Sequence, residues 1–316
     1  MKSGTPELPK IIVICGPTGI GKTTSAIKLA AAFSGEIVSA DSMQIYKYMN
    51  IGTAKPTIEE QKAVKHHLID IAEPNQNFNA ALFSEKAGKI IYRLWQKKIP
   101  AFVTGGTGLY IKTLIYGIFK DEKSSNAVKE KIKKEAAEKG LIFLYEKFKK
   151  KDPEAAAKID PNDSYRIIRA ITVFEATGKK ISSYHKTHGF ADKKFTSYKI
   201  GLEINRQTLY ERINRRVDKM IEQGFIQEIK DLIRKGYSKD LKSMQSIGYK
   251  HIIDFLEGEI SLDKALDTIK RNTRRYAKRQ MTWFKADKEI VWLAPDNILK
   301  IVPNIRAFLY PEKPIT

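Results

Sequence analysis

Short apolar runs alternate with segments of helical periodicity through the first third of the chain. Ile11-Ile12-Val13-Ile14 is β-branched or apolar without interruption, the pattern of a parallel strand buried on both faces. The stretch that follows the next glycines, Thr24–Phe33, is Ala-rich with Ile27 and Leu29 at helical spacing. The same alternation predicts strands over Lys10–Cys15, Glu36–Ser39, His67–Asp70 and Pro100–Thr104. Helices are expected from near Lys22, from near Thr57, where Thr57 and Glu60 make a capping box, and over Asn79–Lys97. Strands alternating with helices imply an α/β fold, a parallel sheet flanked by helices.

From about Gly117 to Thr196 the pattern changes. Glycine becomes scarce, while Lys, Glu and Ala dominate at helical spacing. Helices are predicted over Asn126–Lys139, Leu141–Lys151, Asp152–Lys158 and Ser164–Thr177, with Asp160-Pro161-Asn162-Asp163 as a turn before the last. Strand character returns at Ser197–Ile204. Helices resume over Arg206–Gln223, Phe225–Lys235, Ser246–Leu256 and Leu262–Lys285, and a strand at Glu289–Leu293 precedes a final helix. The expected organisation is therefore an α/β core over 1–116, an inserted all-helical domain over 117–196, and a return to the core with basic helices over 197–316.

Composition narrows the class. The 316 residues are 42% hydrophobic, enough for a substantial core, yet no run approaches the length of a membrane span. The first ten residues contain no apolar signal core, and the single cysteine, Cys15, excludes an internal disulfide, so a reducing cytoplasmic setting is expected and no membrane partner. Cys15 reads as a small buried hydrophobe. Lys and Arg number 57 against 36 Asp and Glu, a formal net charge of +21. The charge recurs in Lys129–Lys139, Lys147–Lys151, Arg212–Arg216 and Lys270–Lys288, within predicted helices rather than in one tail. A small phosphate pocket needs only a few of these charges, so a larger polyanion, nucleic acid, is the expected partner.

Candidate chemistry begins at Gly16-Pro17-Thr18-Gly19-Ile20-Gly21-Lys22-Thr23, which matches G-x-x-x-x-G-K-[ST] at every fixed position. Lying between a strand and a helix, its backbone N–H groups would cradle phosphates. Lys22 adds a point charge, and the Thr23 hydroxyl is suited to ligate Mg2+. The loop makes the core a P-loop NTPase-like sheet. Asp41-Ser42 follows a predicted strand and offers a magnesium ligand, a general base or a helix cap. Gly105-Gly106-Thr107-Gly108 follows another, either presenting a hydroxyl and amides to a small ligand or making a tight turn. Arg212 and Arg216 share a helix face near Arg215, as a phosphate fork or a solvated basic face. His66 and His67 have no third ligand at metal spacing. Lys278-Arg279-Gln280-Met281-Thr282-Trp283-Phe284-Lys285 interleaves bases with aromatics, either a nucleic-acid surface or an amphipathic helix burying Met281 and Trp283.

Taken in order, GPTGIGKTTSAIKLA, SADSMQIYKYMNIGTAKP, HHLIDIAEP, PAFVTGGTGLYIKTLIYG, DPNDSYRIIRAITVFEATGK, QSIGYKHIIDFLEGEIS and RRYAKRQMTWFK resemble the tRNA dimethylallyltransferase family, of the bacterial type without a C-terminal zinc finger. The resemblance covers nearly the whole chain. It implies that the loop Gly16–Thr23 holds the diphosphate of dimethylallyl diphosphate and that the acceptor is the exocyclic amine of the adenosine 3′ to the tRNA anticodon. Asp41 matches the family's catalytic base, Thr107 the threonine near the bridging oxygen, and Arg216 an arginine that stabilises the leaving diphosphate beside Lys22 and Mg2+. Asp41, Ser42, Met43 and Gln44, Arg166 and Arg169, Gln245 with Gly248, Tyr249 and Lys250, and Lys278, Arg279, Gln280, Trp283 and Lys285 match segments that contact the anticodon stem-loop.

Two departures stand out. Gly19-Ile20 replaces the family's usual Ala and Ser or Gly, and Lys250 replaces an Arg, losing a guanidinium fork. A monomer is expected, since the asymmetric RNA supplies its own interface. A P-loop small-molecule kinase or ATPase would account for the loop but leave the charge of +21 unused. A prenyltransferase acting on free AMP would need neither the insertion nor the basic C-terminal half.

Overall fold

The computed structural model describes residues 7–117, 126–188 and 193–311. Residues 1–6, part of the segment read above as lacking a signal core, lie outside the described residues. Two compact units emerge, one of residues Met1–Ile115 with Lys194–Thr316 and one of Tyr116–Lys193.

The first unit is built on six strands: β1 (Lys10–Cys15), β2 (Glu36–Ser39), β3 (His66–His67), β4 (Ala101–Gly105), β5 (Thr196–Leu202) and β6 (Ile290–Leu293). All pair in parallel, in the order β3-β2-β4-β1-β5-β6. The expected α/β class with a parallel sheet is thus borne out. β1 is central and its Ile11–Cys15 run is completely buried, which is why the sequence shows no polar alternation there. Ile12, Ile14, Ile20, Leu29, Ile200, Leu202 and Ile213 form one apolar cluster on this sheet. Fully burying each such side chain contributes about 1.5–3 kcal/mol before the entropy of ordering is set against it.

The order of strands creates the site. The chain leaves β1 across β4 to reach β2, and leaves β4 across β1 to reach β5. Connections departing in opposite directions from adjacent strands open a crevice outside their carboxyl ends. The register places Cys15 beside Gly105 and Ser39 beside Thr104, so the loops after β1, β2 and β4 leave the sheet at one level.

Several elements depart from the sequence-based expectation. β3 is only two residues long, because Leu68 and Asp70 take positive φ and break the extended run expected over His67–Asp70. A helix not anticipated, Gly108–Tyr116, follows the β4 loop and buries Tyr110, Ile111, Leu114 and Ile115 at helical spacing. The helix expected from Ser246 begins at Tyr249, after Gly248 at φ +99°.

The elements described in the second unit are all helices: Asn126–Lys139, Leu141–Lys151, Pro153–Ala156, Ser164–Thr177 and Ile181–His188, the last of which the sequence reading missed. It has its own core of Ile132, Leu144, Phe148, Ile167, Ala170 and Ile171. Asp152 is buried there, accepting hydrogen bonds from Ala155 N–H at 3.2 Å and Ser182 N–H at 2.9 Å, which ties the first helices to the last. No described helix in either unit is long and apolar enough to cross a membrane.

Candidate active site

The loop Gly16–Gly21 carries Gly16, Gly19 and Gly21 at positive φ and feeds directly into the helix Lys22–Ala32. That helix starts on Gly21 without a side-chain cap, so its first N–H groups are left for a ligand. Ile20 is fully buried and anchors the loop from below. Gly19 lies so close to Ile213 that a Cβ there would approach Ile213 Cγ1 to 2.9 Å. The helix Arg206–Glu222, capped by Asn205, therefore packs directly against the phosphate loop.

That packing decides which arginine reaches the site. Leu209, Ile213 and Val217 form the buried stripe, and Arg212 and Arg216 flank it half-buried, while Arg215 is exposed. Arg216 comes within electrostatic range of both Lys22 and Asp41. Burial pushes the Lys22 ammonium down to about 8, the Arg216 charge adds to the shift, and the Asp41 carboxylate opposes it. Lys22 Nζ donates to Pro17 C=O at 2.9 Å, folding back over its own loop.

Asp41 sits just beyond β2. Its Oδ1 accepts from Met43 N–H at 2.8 Å and Gln44 N–H at 3.3 Å, an Asx turn that fixes the carboxylate at the crevice. Thr107 lies in the loop after β4, its N–H donating to Ala40 C=O at 3.3 Å and its Oγ1 accepting from Ser42 N–H at 3.1 Å. Gly105 makes this approach possible: a Cβ there would stand 2.1 Å from Ala40 O. Lys22, Asp41, Thr107 and Arg216, far apart in sequence, thus meet at one edge of the sheet.

The segment after Asp41 is held by a group that the sequence reading missed. Glu228, on the helix Phe225–Arg234, accepts N–H bonds from Asn50 (2.8 Å), Ile51 (2.7 Å) and Gly52 (3.2 Å). It also accepts from the Tyr249 hydroxyl at 2.7 Å. Nothing local marks Glu228 for this. Gln44 closes the same loop, donating from Nε2 to Ala54 C=O at 3.1 Å and accepting from Ser39 at Oε1. Tyr276 is a second missed residue; burial, then the Asp41 charge, pushes its phenol up to about 12, placing it in the field of that carboxylate.

Residues expected to contact RNA divide into two groups. Lys278 and Arg279 are exposed on the helix Leu262–Lys285, with Arg279 over the Tyr276 ring, and Trp283 is 43% exposed. Gln245 and Lys250 are also exposed, the former bonded to Lys239 C=O and the latter near Asp254. Lys285 is ion-paired with Glu203 at 3.1 Å. Ser42, Met43 and Gln44 are half-buried at the crevice, and in the helical unit Arg166 is exposed beside Asp163, with Arg169 half-buried one turn on. Tyr165, 69% exposed in the same turn, is an aromatic that the sequence reading passed over.

Three of the expected contacts, Tyr249, Gly248 and Gln280, need correction. Tyr249 is 1% exposed, packed edge-on against Phe225, and Gly248 is buried beside the same ring. Gln280 is also buried, on the stripe Ala265, Ile269, Ala277, Gln280 and Phe284, and both ends of its amide bond within the protein. That stripe, rather than Met281 and Trp283, is the inward face of the helix.

Among the described residues no cluster of three or more His, Cys, Asp or Glu side chains could hold a metal. The Thr23 hydroxyl at the helix start, next to the phosphate loop, suits a magnesium ion whose remaining ligands are phosphate oxygens and water, which prefers such sites to an all-protein cage. His66 bonds Val64 C=O through Nδ1 and His67 bonds Glu36 through Nε2, and neither ring belongs to such a cluster of ligands among the described residues. Cys15 is buried with its thiol pushed up to about 12 by desolvation, which leaves it inert.

The family model described as IPP transferase matches residues 44–287. The tRNA dimethylallyltransferase of Desulfosudis oleivorans is 48% identical over 303 residues, 96% of each chain. That of Caldanaerobacter subterraneus subsp. tengcongensis is 50% identical over 291 residues, 91% of this chain and 92% of the relative. Among solved structures, the full-length tRNA isopentenylpyrophosphate transferase of Bacillus halodurans is similar with a TM-score of 0.72 at 39% identity, covering 95% of this chain and 97% of its own. A eukaryotic dimethylallyltransferase acting on tRNA is similar with a TM-score of 0.79 at 28% identity, covering 95% of this chain and 77% of its own.

Proposed function

The chain belongs to the IPP transferase family, and on that premise we propose that it transfers a dimethylallyl group from dimethylallyl diphosphate to tRNA. The acceptor is the exocyclic amine of the adenosine on the 3′ side of the anticodon, and diphosphate is released. The observation that carries this reading is the convergence of Lys22, Arg216, Asp41 and Thr107 at the carboxyl edge of β1, β2 and β4. It unites an anion cradle, a carboxylate and a hydroxyl, and no second reading uses all three together with the excess of positive charge.

The chemistry assigns each group a task. The amine nitrogen forms a bond to the allylic carbon, the bond from that carbon to the diphosphate oxygen breaks, and its electron pair leaves with the diphosphate. The lone pair of the amine is delocalised into the purine, so its proton must be removed as the new bond forms. Asp41, its carboxylate oriented by two backbone N–H groups through Oδ1, accepts that proton. Negative charge grows on the departing diphosphate, where Lys22, Arg216 and the loop amides stabilise it. Because the Thr107 oxygen already accepts from Ser42 N–H, its hydroxyl proton remains to be donated toward the bridging oxygen. Magnesium held at Thr23 would neutralise part of the phosphate charge. The target adenine must leave its stack to reach this crevice, and the exposed Lys278, Arg279, Arg166 and Lys250 supply the phosphate contacts that hold the loop while it does. The protein acts as a monomer in the cytoplasm, where its RNA substrate resides.

The test is incubation with radiolabelled dimethylallyl diphosphate, magnesium and an anticodon stem-loop carrying that adenosine, beside one carrying guanosine there. Label in the adenosine RNA alone is expected. Label in neither RNA, with ATP hydrolysed instead, would return the loop to nucleotide chemistry.

A further inference from the structure

The buried stripe of the helix Leu262–Lys285 contains one polar side chain, Gln280. A primary amide buried among apolar neighbours costs stability unless its acceptor and both its donors are engaged. Here both ends of the amide are engaged. Oε1 accepts the backbone N–H of Thr18, inside the phosphate loop, at 2.8 Å. Nε2 donates to the carbonyl of Gly106, in the loop carrying Thr107, at 2.8 Å. The Tyr276 side chain, one turn back on the same helix, lies close enough to the amide for its phenol to feel it. The chemistry of the partners sets the orientation, since an N–H only donates and a carbonyl only accepts. Gly106 leaves no slack: a Cβ on it would stand 2.2 Å from Nε2.

Among the described residues no other side-chain hydrogen bond joins these two loops directly. The phosphate loop belongs to β1 and the Thr107 loop to β4. Their strands are paired only up to Cys15 and Gly105, so the sheet ladder stops short of both tips. Beyond that point Gln280 spans the gap.

We propose that Gln280 is a positioning residue for the transfer reaction: it sets the distance between the diphosphate cradle and the Thr107 hydroxyl, and does not read the RNA. The inference rests on the proposed prenyl transfer. It assigns the family-like KRQMTW run two faces. Lys278 and Arg279 face outward to nucleic acid, and Gln280 faces inward to hold two loops in register. A shift of one loop against the other would misplace a hydroxyl that must meet one particular oxygen of the leaving group, an error to which transfer rates are steeply sensitive.

The test is Gln280→Met, which keeps the length and bulk and removes every hydrogen bond. Magnesium with inorganic diphosphate is the probe for the cradle, by calorimetry, and the unmodified anticodon stem-loop is the probe for RNA, by filter binding. In the full-length protein the diphosphate Kd and the KM for dimethylallyl diphosphate should rise at least tenfold and kcat should fall. The stem-loop Kd should stay within twofold. Lys278→Ala with Arg279→Ala should give the opposite split. A rise in the stem-loop Kd with the diphosphate Kd unmoved, equal rises in both, or no change in either would overturn the assignment. Should Gln280→Met be unstable, Gly106→Ala attacks the same contact from the other loop, and its effects should not add to those of Gln280→Asn; additive effects would equally overturn it. The diphosphate and RNA measurements need no turnover, so they stand apart from the labelling experiment. Failure of transfer by the unaltered protein would sink the proposed function, not this contact.

Discussion

Thr107 accepts a hydrogen bond from the backbone N–H of Ser42 at 3.1 Å, so the residue after the carboxylate of one loop fixes the hydroxyl of another. Thr107→Val keeps the shape and removes both the acceptor and the donor. It should lower kcat by about 10²-fold, the usual loss for one transition-state hydrogen-bond donor. Stem-loop affinity should stay within twofold. Thr107→Ser should retain most activity. Steady-state kinetics against dimethylallyl diphosphate decide the matter, and a Val variant as fast as the Ser variant would remove the hydroxyl from the reaction.

Asp41 has a structural and a chemical task, and the two separate by mutation. Asp41→Asn keeps an oxygen for Met43 and Gln44 N–H but cannot take a proton. Transfer should fall by about 10²–10⁴-fold, the range general-base catalysis supplies, with RNA binding nearly intact. Asp41→Ala should abolish transfer and in addition loosen the turn, seen as faster amide exchange at Met43 and Gln44.

Lys22 carries a pH signature. Burial, reinforced by Arg216, holds its pKa near 8, so the free protein loses this charge as pH rises through that value. The diphosphate Kd should therefore increase between pH 7 and pH 9. The sign for stability is the reverse. Between about 8 and the ordinary value of 10.5 the unfolded chain binds a proton that the folded chain has released, so this group's contribution to stability rises with pH across that window. Lys22→Met should remove this rise, raise the thermal midpoint of the ligand-free protein at pH 7, and eliminate diphosphate binding.

Glu228 gathers three backbone N–H groups and one hydroxyl onto a single carboxylate. Glu228→Gln turns an amide donor toward that set and leaves at least one buried donor unmatched, a cost of about 1–3 kcal/mol. A thermal midpoint lower by several degrees is expected, with kcat falling more than the stem-loop affinity. An unchanged midpoint would mean that the loop Asn50–Gly52 is held by other contacts.

The basic surface should appear in the salt dependence of RNA binding. A plot of log affinity against log salt should be steep, and Arg166→Ala should lower its slope by about one, the share of a single phosphate contact. A flat plot for the unaltered protein would remove phosphate contacts from the account.

Much of this molecule is written in short windows of sequence. The Gly16–Thr23 loop, the apolar run of β1, the Thr57–Glu60 capping box and the charged helices of the insertion all emerged where local pattern placed them. In each the determining groups lie within a few residues of one another, so composition and spacing carry the information. Helix Gly108–Tyr116 escaped although Tyr110, Ile111, Leu114 and Ile115 keep helical spacing, because its 9 residues are too short a window for that period to stand out directly after a glycine-rich loop.

Tertiary structure alone decided which polar groups face the chemistry. Arg216 approaches Lys22 because Ile213 packs on Gly19, and Arg215, one residue away, points to solvent. Tyr249 and Gln280 stand in segments that the family resemblance matches to RNA contacts, yet they turn inward, one to Glu228 and the other to Thr18 and Gly106. The Gln280–Thr18 contact joins residues 262 positions apart, and Glu228 reaches Asn50 across 178. A hydrogen bond over such a separation leaves no trace in local periodicity, because its geometry is set by how strands and helices pack and not by the residues on either side.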